Sequence, residues 1–284
     1  MPRYGRRWGV VVRRVLFAGA VALILAYTLF PFYWAFNGAL QPSSRLYVSP
    51  ADYLPVPPVF DAFREVFANR MFVRGVLNSA LVAGGSTLLA LAAGSFAAYA
   101  LGRFRIRGRR VVLALILGMT MFPQISILGA VYSVISRMGL YNTLWGLGLS
   151  YMILTLPLTV WVMMNFFKSL PAELEESATV DGATPLQAFW HVLLPLSLPG
   201  LATTGLLAFI TAWNEYLFAL ALTVDRKART VPVVIANYTG NSLHEVPWGA
   251  IMAASVTVTL PLVVLVMIFQ KRIIAGLTAG AVKG

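Results

Sequence analysis

Acidic side chains are scarce in this chain, 10 Asp and Glu in 284 residues, so their positions carry information. Glu173, Glu175, Glu176 and Asp181 crowd into the stretch 169–199. Glu215 stands alone in an apolar run, where an ionisable group costs at least ~2.5 kcal/mol and must face a bundle interior or water. With Asn214 and Tyr216 beside it, and Gln124 next to Pro123 in another apolar run, it forms a candidate polar lining for a translocation pathway. An acid satisfied by packing against a neighbouring helix is the equal alternative. There is no cysteine, and the two histidines, His191 and His244, are far apart. Thiolate and His-rich metal sites and Cys nucleophiles are thereby excluded, and neither catalytic residues nor metal ligands are expected. No G-x-x-x-x-G-K-[ST] loop is present to cradle ATP phosphates, so any ATP-derived energy must come from a partner.

The elements that position these residues are membrane spans. With 59% hydrophobic and 11% charged residues, the chain departs from soluble proteins, where about 25% charged is usual. About 20 apolar helical residues cross a ~30 Å hydrocarbon core. Six runs qualify, at 15–37, 77–101, 111–136, 143–167, 200–223 and 249–270, and only the fifth carries a charge. The fold class predicted is all-α, a polytopic six-span protein. The net charge is +12, and all 22 Lys and Arg residues lie in loops and tails, which argues against a nucleic-acid surface. Arg3, Arg6, Arg7, Arg13, Arg14 and Arg103, Arg105, Arg107, Arg109, Arg110 cluster closest to the span ends, and the positive-inside rule then makes both termini cytoplasmic. The first apolar run exceeds the 7–15 residues of a signal-peptide core and reads as an uncleaved helix. The organisation expected is a tail over 1–14, a six-span membrane domain over 15–270 and a tail over 271–284. Within the membrane domain lie an outer interfacial segment (38–76), a cytoplasmic hairpin (168–199) and an outer loop (224–248). No internal repeat or low-complexity tract is evident.

The hairpin is locally encoded. Pro171 with Glu173, Glu175 and Glu176 suits a helix first turn, and Gly182 suits its termination. Thr184, Pro185 and Gln187 form a Thr-x-x-Gln capping box with proline at the first helical position. Leu186, Phe189, Trp190 and Leu193 are expected on one face of this second helix, with Pro195 as its stop. Ser177, Ala178, Gly182 and Ala183 are small residues that let a partner's backbone approach the turn.

Glu176-Ser177-Ala178, three residues, Gly182, nine residues, Val192, one residue, Leu194-Pro195 resembles the EAA motif of binding-protein-dependent ABC importer permeases. Ser177 stands at the motif's second position, its first Ala, and Val192 at its Ile. DGATPLQAFWHVLLPLSLP (181–199), AWNEYLFAL (212–220) and GLTAGAVKG (276–284) extend the resemblance to the maltose-type carbohydrate permeases. The resemblance implies a type I ABC importer permease that carries a sugar or related polyol by alternating access. It implies as partners a second permease in a heterodimeric pore, two ATPase subunits that bind the ATP and Mg, and an extracytoplasmic solute-binding protein. No cofactor is implied on this chain. By the same resemblance Glu176, Ser177, Ala178, Asp181, Gly182, Ala183, Val192, Leu194 and Pro195 dock on an ATPase. Leu277, Thr278, Ala279, Gly280 and Lys283 form a second contact with it, and Asn237, Tyr238, Thr239, Gly240 and Asn241 meet the solute-binding protein.

Phe60, Phe63, Phe67 and Met71 recur at helical spacing opposite Asp61, Arg64 and Glu65, which reads as a lipid-anchoring interfacial helix. Pro123, Pro157 and Pro261 sit inside spans and mark sites of bending. Ala90, Gly94 and Ala98 give the second span a close-packing face. Two rival readings stand beside the importer: a self-sufficient proton-coupled carrier using Glu215, and a membrane scaffold that docks a partner without transport.

Overall fold

A computed structural model describes the backbone of residues 4–238 and 246–279, with side chains from 12 to 238 and 246 to 270. It contains α1 (Tyr4–Ala39), α2 (Asp61–Ala68), α3 (Arg70–Arg103), α4 (Arg109–Met121), α5 (Gln124–Arg137), α6 (Leu144–Ser169), α7 (Glu173–Val180), α8 (Pro185–Ala188), a π-helical stretch Phe189–Leu193, α9 (Leu194–Leu196), α10 (Leu198–Trp213), α11 (Leu217–Leu222), α12 (Val231–Ala236) and α13 (Trp248–Ala279). The all-α expectation is borne out. Four helices are long and apolar enough to cross a membrane, six if two bent helix pairs each count as one span.

Two compact units divide the chain, Met1–Asn69 with Tyr238–Thr259 and Arg70–Asn237 with Leu260–Gly284. In the first unit, α1 leaves a nearly continuous apolar surface exposed, with Leu16, Phe17, Leu23 and Tyr27 all more than two-thirds accessible. Such a surface belongs in lipid or against another protein. The helix read as interfacial is shorter than expected. It ends at Ala68 because Asn69 is extended, and Met71 already belongs to α3. Phe60 and Phe67 are exposed while Val66 is buried.

The second unit is organised around α3 and α6. Ala90 and Ala98 are fully buried, and a Cβ added at Gly94 would lie 2.6 Å from Thr159 Cγ2 of α6. Small residues thus bring two helix backbones together where lipid supplies no hydrophobic drive. α10 packs against both helices.

Two expected spans are broken. The third bends by 103° between α4 and α5, because Phe122 before Pro123 is held extended (ψ 130°) and Pro123 follows it (ψ 128°). The fifth is α10, a break at residues 214–216, then α11. The expected loop 224–248 also contains order: α12 buries Val231, Val233 and Val234, the Val231 N–H donates to Ser79 Oγ (2.9 Å), and Asn78 Nδ2 donates to the Lys227 (2.9 Å) and Arg229 (2.8 Å) carbonyls. The short apolar run VPVVIA, with Pro232 in its first turn, outweighs the polar composition around it.

Replacing Gly94 by Leu should force α3 and α6 apart. We expect a loss of about 1–3 kcal/mol, read as a lower midpoint in thermal unfolding of the detergent-solubilised protein, whereas Gly84→Leu, with no atom within 4 Å of its added Cβ, should be tolerated.

Candidate functional site

The hairpin begins where α6 ends. α7 carries Glu173, Glu175 and Glu176 in its first turn, where unpaired N–H groups and the helix dipole favour acids. Its end is a Schellman motif: the Gly182 N–H donates to the Thr179 carbonyl (3.0 Å) and the Ala183 N–H to the Ala178 carbonyl (2.9 Å). Gly182 has φ +82°, the left-handed conformation that this motif requires and other residues avoid. The capping box forms as read, with the Gln187 N–H donating to Thr184 Oγ1 (3.3 Å) and the Thr184 N–H to Gln187 Oε1 (2.8 Å).

Two expectations for the second helix are corrected. Its apolar residues do not share one face: Phe189 and Leu193 are buried, while Leu186 and Trp190 are exposed. Residues 186 and 190 form their own i, i+4 row on the outer side. Pro195 does not stop the helix either, since helical backbone continues to Leu196 and breaks at Ser197, where the chain bends by 76° into α10. A proline clashes with the carbonyl four residues back, and the wider π turn over Phe189–Leu193 precedes it and accommodates that clash.

Phe189 and Leu193 enter a cluster with Tyr99, Met163, Met164 and Phe167 between α3 and α6. The Phe189 ring centroid lies 5.0 Å from that of Tyr99 and 4.9 Å from that of Phe96. Tyr99 donates its hydroxyl to the Pro185 carbonyl (3.2 Å). Four residues on, Arg103 pairs through Nε with Glu175 Oε2 (2.9 Å), and its Nη2 donates to the Leu170 (3.0 Å) and Pro171 (3.3 Å) carbonyls. One turn of α3 therefore grips both helices of the hairpin. Sequence reasoning missed this clamp, because nothing near Arg103 separates it from the other arginines of its loop. Of the motif residues, Glu176, Ser177, Asp181, Gly182 and Pro195 are exposed, Ala183, Val192 and Leu194 are half-buried, and Ala178 is buried. Open space surrounds Gly182. Val180 is 87% exposed, and Leu186 and Trp190 are exposed as well, Trp190 while resting edge-on against the Phe96 ring at 5.6 Å.

Glu215 sits in the break of the fifth span and is 5% exposed. Its Oε1 accepts the Phe218 N–H (2.7 Å) and its Oε2 the Ala219 N–H (3.1 Å), so both oxygens satisfy donors at the start of α11. The Tyr151 side chain lies beside it, also buried. Asn214 donates to the Ile210 carbonyl (2.8 Å), Tyr216 is partly exposed, and Gln124 opens α5 with no hydrogen bond to any of these among the described residues. Asn237 donates to the Val233 carbonyl (2.7 Å). Tyr238 is half-buried, and burial together with Glu65 pushes its phenol up to about 12. Thr239, Gly240, Asn241 and His244 lie outside the described residues, as do Gly280 and Lys283, while Leu277, Thr278 and Ala279 end the backbone of α13. His191 is exposed, its Nδ1 3.0 Å from the Gln187 carbonyl. On the far side of the unit, Asn142 (φ +59°) donates to Asp225 Oδ2 (2.7 Å) and accepts the Val224 and Asp225 N–H groups, both at 3.0 Å.

The family described as binding-protein-dependent transport system inner membrane component matches residues 90–278, which include the whole hairpin. The chain belongs to this family. Among relatives of this inner membrane component, the trehalose transport system permease protein SugB of Mycobacterium tuberculosis is 42% identical over 92% of this chain and 95% of its own. The trehalose/maltose transport system permease protein MalG of Thermococcus litoralis is 39% identical over 96% and 98%. A bacterial ABC transporter that imports the acidic polysaccharide alginate shares the fold, with TM-score 0.78 at 24% identity over 95% of this chain and 98% of that one. The resemblance to the maltose-type ABC importer permeases is borne out, and with it a multi-pass protein of the inner membrane.

Two measurements check this geometry. A double-mutant cycle of Arg103→Ala and Glu175→Ala should return a coupling of about 1 kcal/mol for this partly shielded pair. Glu215→Ala should cost about 1–3 kcal/mol by leaving two buried N–H groups unpaired, seen as a lower thermal midpoint of the solubilised permease.

Proposed function

We propose that this permease forms one half of the pore of an ATP-driven importer and moves a sugar, oligosaccharide or related polyol inward by alternating access. The observation that carries the reading is the division of the hairpin into two sets of residues. Phe189, Leu193, Tyr99 and Arg103 fasten it to α3 and α6, with the half-exposed Trp190 ring edge-on to Phe96 of α3 at 5.6 Å, while Glu176, Ser177, Asp181, Gly182 and Leu186 stand exposed on its outer side. An outer side carrying exposed apolar and acidic side chains and tied to the spans is what a coupling element needs in order to seat on a separate ATPase and pass on its movement.

In this reading the hairpin and both termini are cytoplasmic, in keeping with the arginine clusters beside the span ends. Two ATPase subunits bind ATP and Mg and perform the hydrolysis. This chain contributes docking contacts and no catalytic residue, with Leu277, Thr278, Ala279, Gly280 and Lys283 as a second ATPase contact. A second, different permease completes the pore. A solute-binding protein delivers the substrate to the outer side, where Asn237, Tyr238, Thr239, Gly240 and Asn241 face it. The sugar class is supported by the names of the trehalose and maltose relatives. Gln124, Asn214 and Tyr216 are assigned to the pathway, whereas the paired oxygens of Glu215 favour a role in holding α11 over one in proton transfer.

The test replaces Gly182 in the assembled importer. Gly182→Arg fills the open space at the turn and should lower sugar uptake and binding-protein-stimulated ATP hydrolysis at least about tenfold, equivalent to about 1.4 kcal/mol of docking energy. Gly182→Asn, which tolerates positive φ, should keep the turn and the thermal midpoint and so separate docking from folding. Normal stimulated hydrolysis by a folded Gly182→Arg importer would defeat the docking role.

A further inference from the structure

The first unit contains a cavity of about 430 Å³ lined in part by Trp34, Asn37, Gln41, Arg45, Asp52 and Trp248. That volume lies within the ~300–1,000 Å³ of small-molecule sites. Its lining is unusual for a protein so apolar, combining two indoles, two amides and one ion pair. Arg45 Nη1 lies 3.4 Å from Asp52 Oδ2, so the charges cancel and the cavity suits a neutral ligand. An anionic ligand would need a cation left uncompensated, which the lining does not offer.

The amides are held in fixed orientations. Asn37 Nδ2 (3.0 Å) and Gln41 Nε2 (2.7 Å) both donate to the main-chain carbonyl of Asp52, which can only accept. This turns the oxygen of the Asn37 amide the other way. Asn37 is 2% exposed, and its Oδ1 has no hydrogen-bond partner among the described residues. A buried acceptor without a donor is costly, and a ligand hydroxyl would relieve it. The Asp52 carboxylate and the remaining guanidinium N–H groups of Arg45 supply further acceptors and donors at the same wall. Trp248 is 46% exposed and Trp34 partly so, giving apolar ring faces beside these polar groups.

A hydrocarbon chain would leave Asn37 unsatisfied, and a simple polar ion would waste the indoles. A sugar ring meets both demands, since its hydroxyl edge pairs with amides and carboxylate while its C–H face covers an aromatic ring. We propose that this cavity is a sugar-binding subsite at the end of α1, separate from the polar residues around Glu215. The proposal rests on the sugar-importer reading and adds a place where the transported class of ligand contacts this subunit.

The experiment uses the complete importer in lipid nanodiscs, labelled with 5-fluorotryptophan and titrated with trehalose and with maltose. The Trp248 resonance is assigned by its disappearance in Trp248→Phe. It should shift saturably with at least one of the sugars and stay fixed in Gln41→Ala, and Trp248→Ala should raise the uptake KM about tenfold, the loss expected for one aromatic contact. A Trp248 resonance indifferent to both sugars, in a preparation that imports either of them, would overturn the subsite while leaving the importer reading intact. A preparation that imports neither these two sugars nor any of a panel of other oligosaccharides and polyols would overturn the sugar-importer reading and this inference with it.

Discussion

The insertion of Phe189 and Leu193 between α3 and α6 is the contact on which the rest of the functional architecture depends. It converts a short, polar, twice-interrupted stretch into an extension of two long helices. Without it, α7 and α8 are too short to hold themselves in water, where isolated helices below about 12 residues are marginal. With it, Tyr99 and Arg103 have fixed targets, the carbonyls of Pro185, Leu170 and Pro171 and the carboxylate of Glu175. Aromatic packing supplies the attachment and these polar contacts set its angle.

The spans themselves follow a different constraint. Inside hydrocarbon every backbone N–H and C=O must be satisfied within the protein, so a helix can be interrupted only where something replaces the lost bonds. The fifth span shows how: Glu215 is placed in the break and its two oxygens take the first donors of α11. An acid in a membrane span invites a transport role, yet here the backbone occupies both oxygens. Packing of α3 on α6 is likewise governed by backbone proximity, with Gly94 leaving the room that Thr159 fills.

Much of this was legible in the sequence where the code is local. Thr184, Pro185 and Gln187 specify a helix start within four residues, and Gly182 specifies a stop through its own φ, so the hairpin was readable in detail. The six apolar runs were readable because hydrocarbon thickness sets their length. What escaped was relational. Arg103 differs from Arg105 and Arg107 only by what lies near it in space, and its partner Glu175 is 72 positions away. The apolar residues of the second helix divided between two faces because a π turn shifted the register that an ideal 3.6-residue period assumes. The segment 224–248 was read from its polar majority, whereas its short apolar minority, Val231 to Ala236, found Ser79 and Asn78 to pin it.

The hairpin's surface and its anchor are made of different residues, and this has a consequence for how such a protein can change. Ala178, Ala188, Phe189 and Leu193 answer to the membrane domain, while Glu176, Asp181, Gly182 and Leu186 answer to whatever lies outside it, and Trp190, exposed yet edge-on to Phe96, touches both. Drift in one set leaves the other in place. On the proposed docking role, a chimera could receive the outward face of another permease, and with it a different motor, while keeping its own spans and cargo.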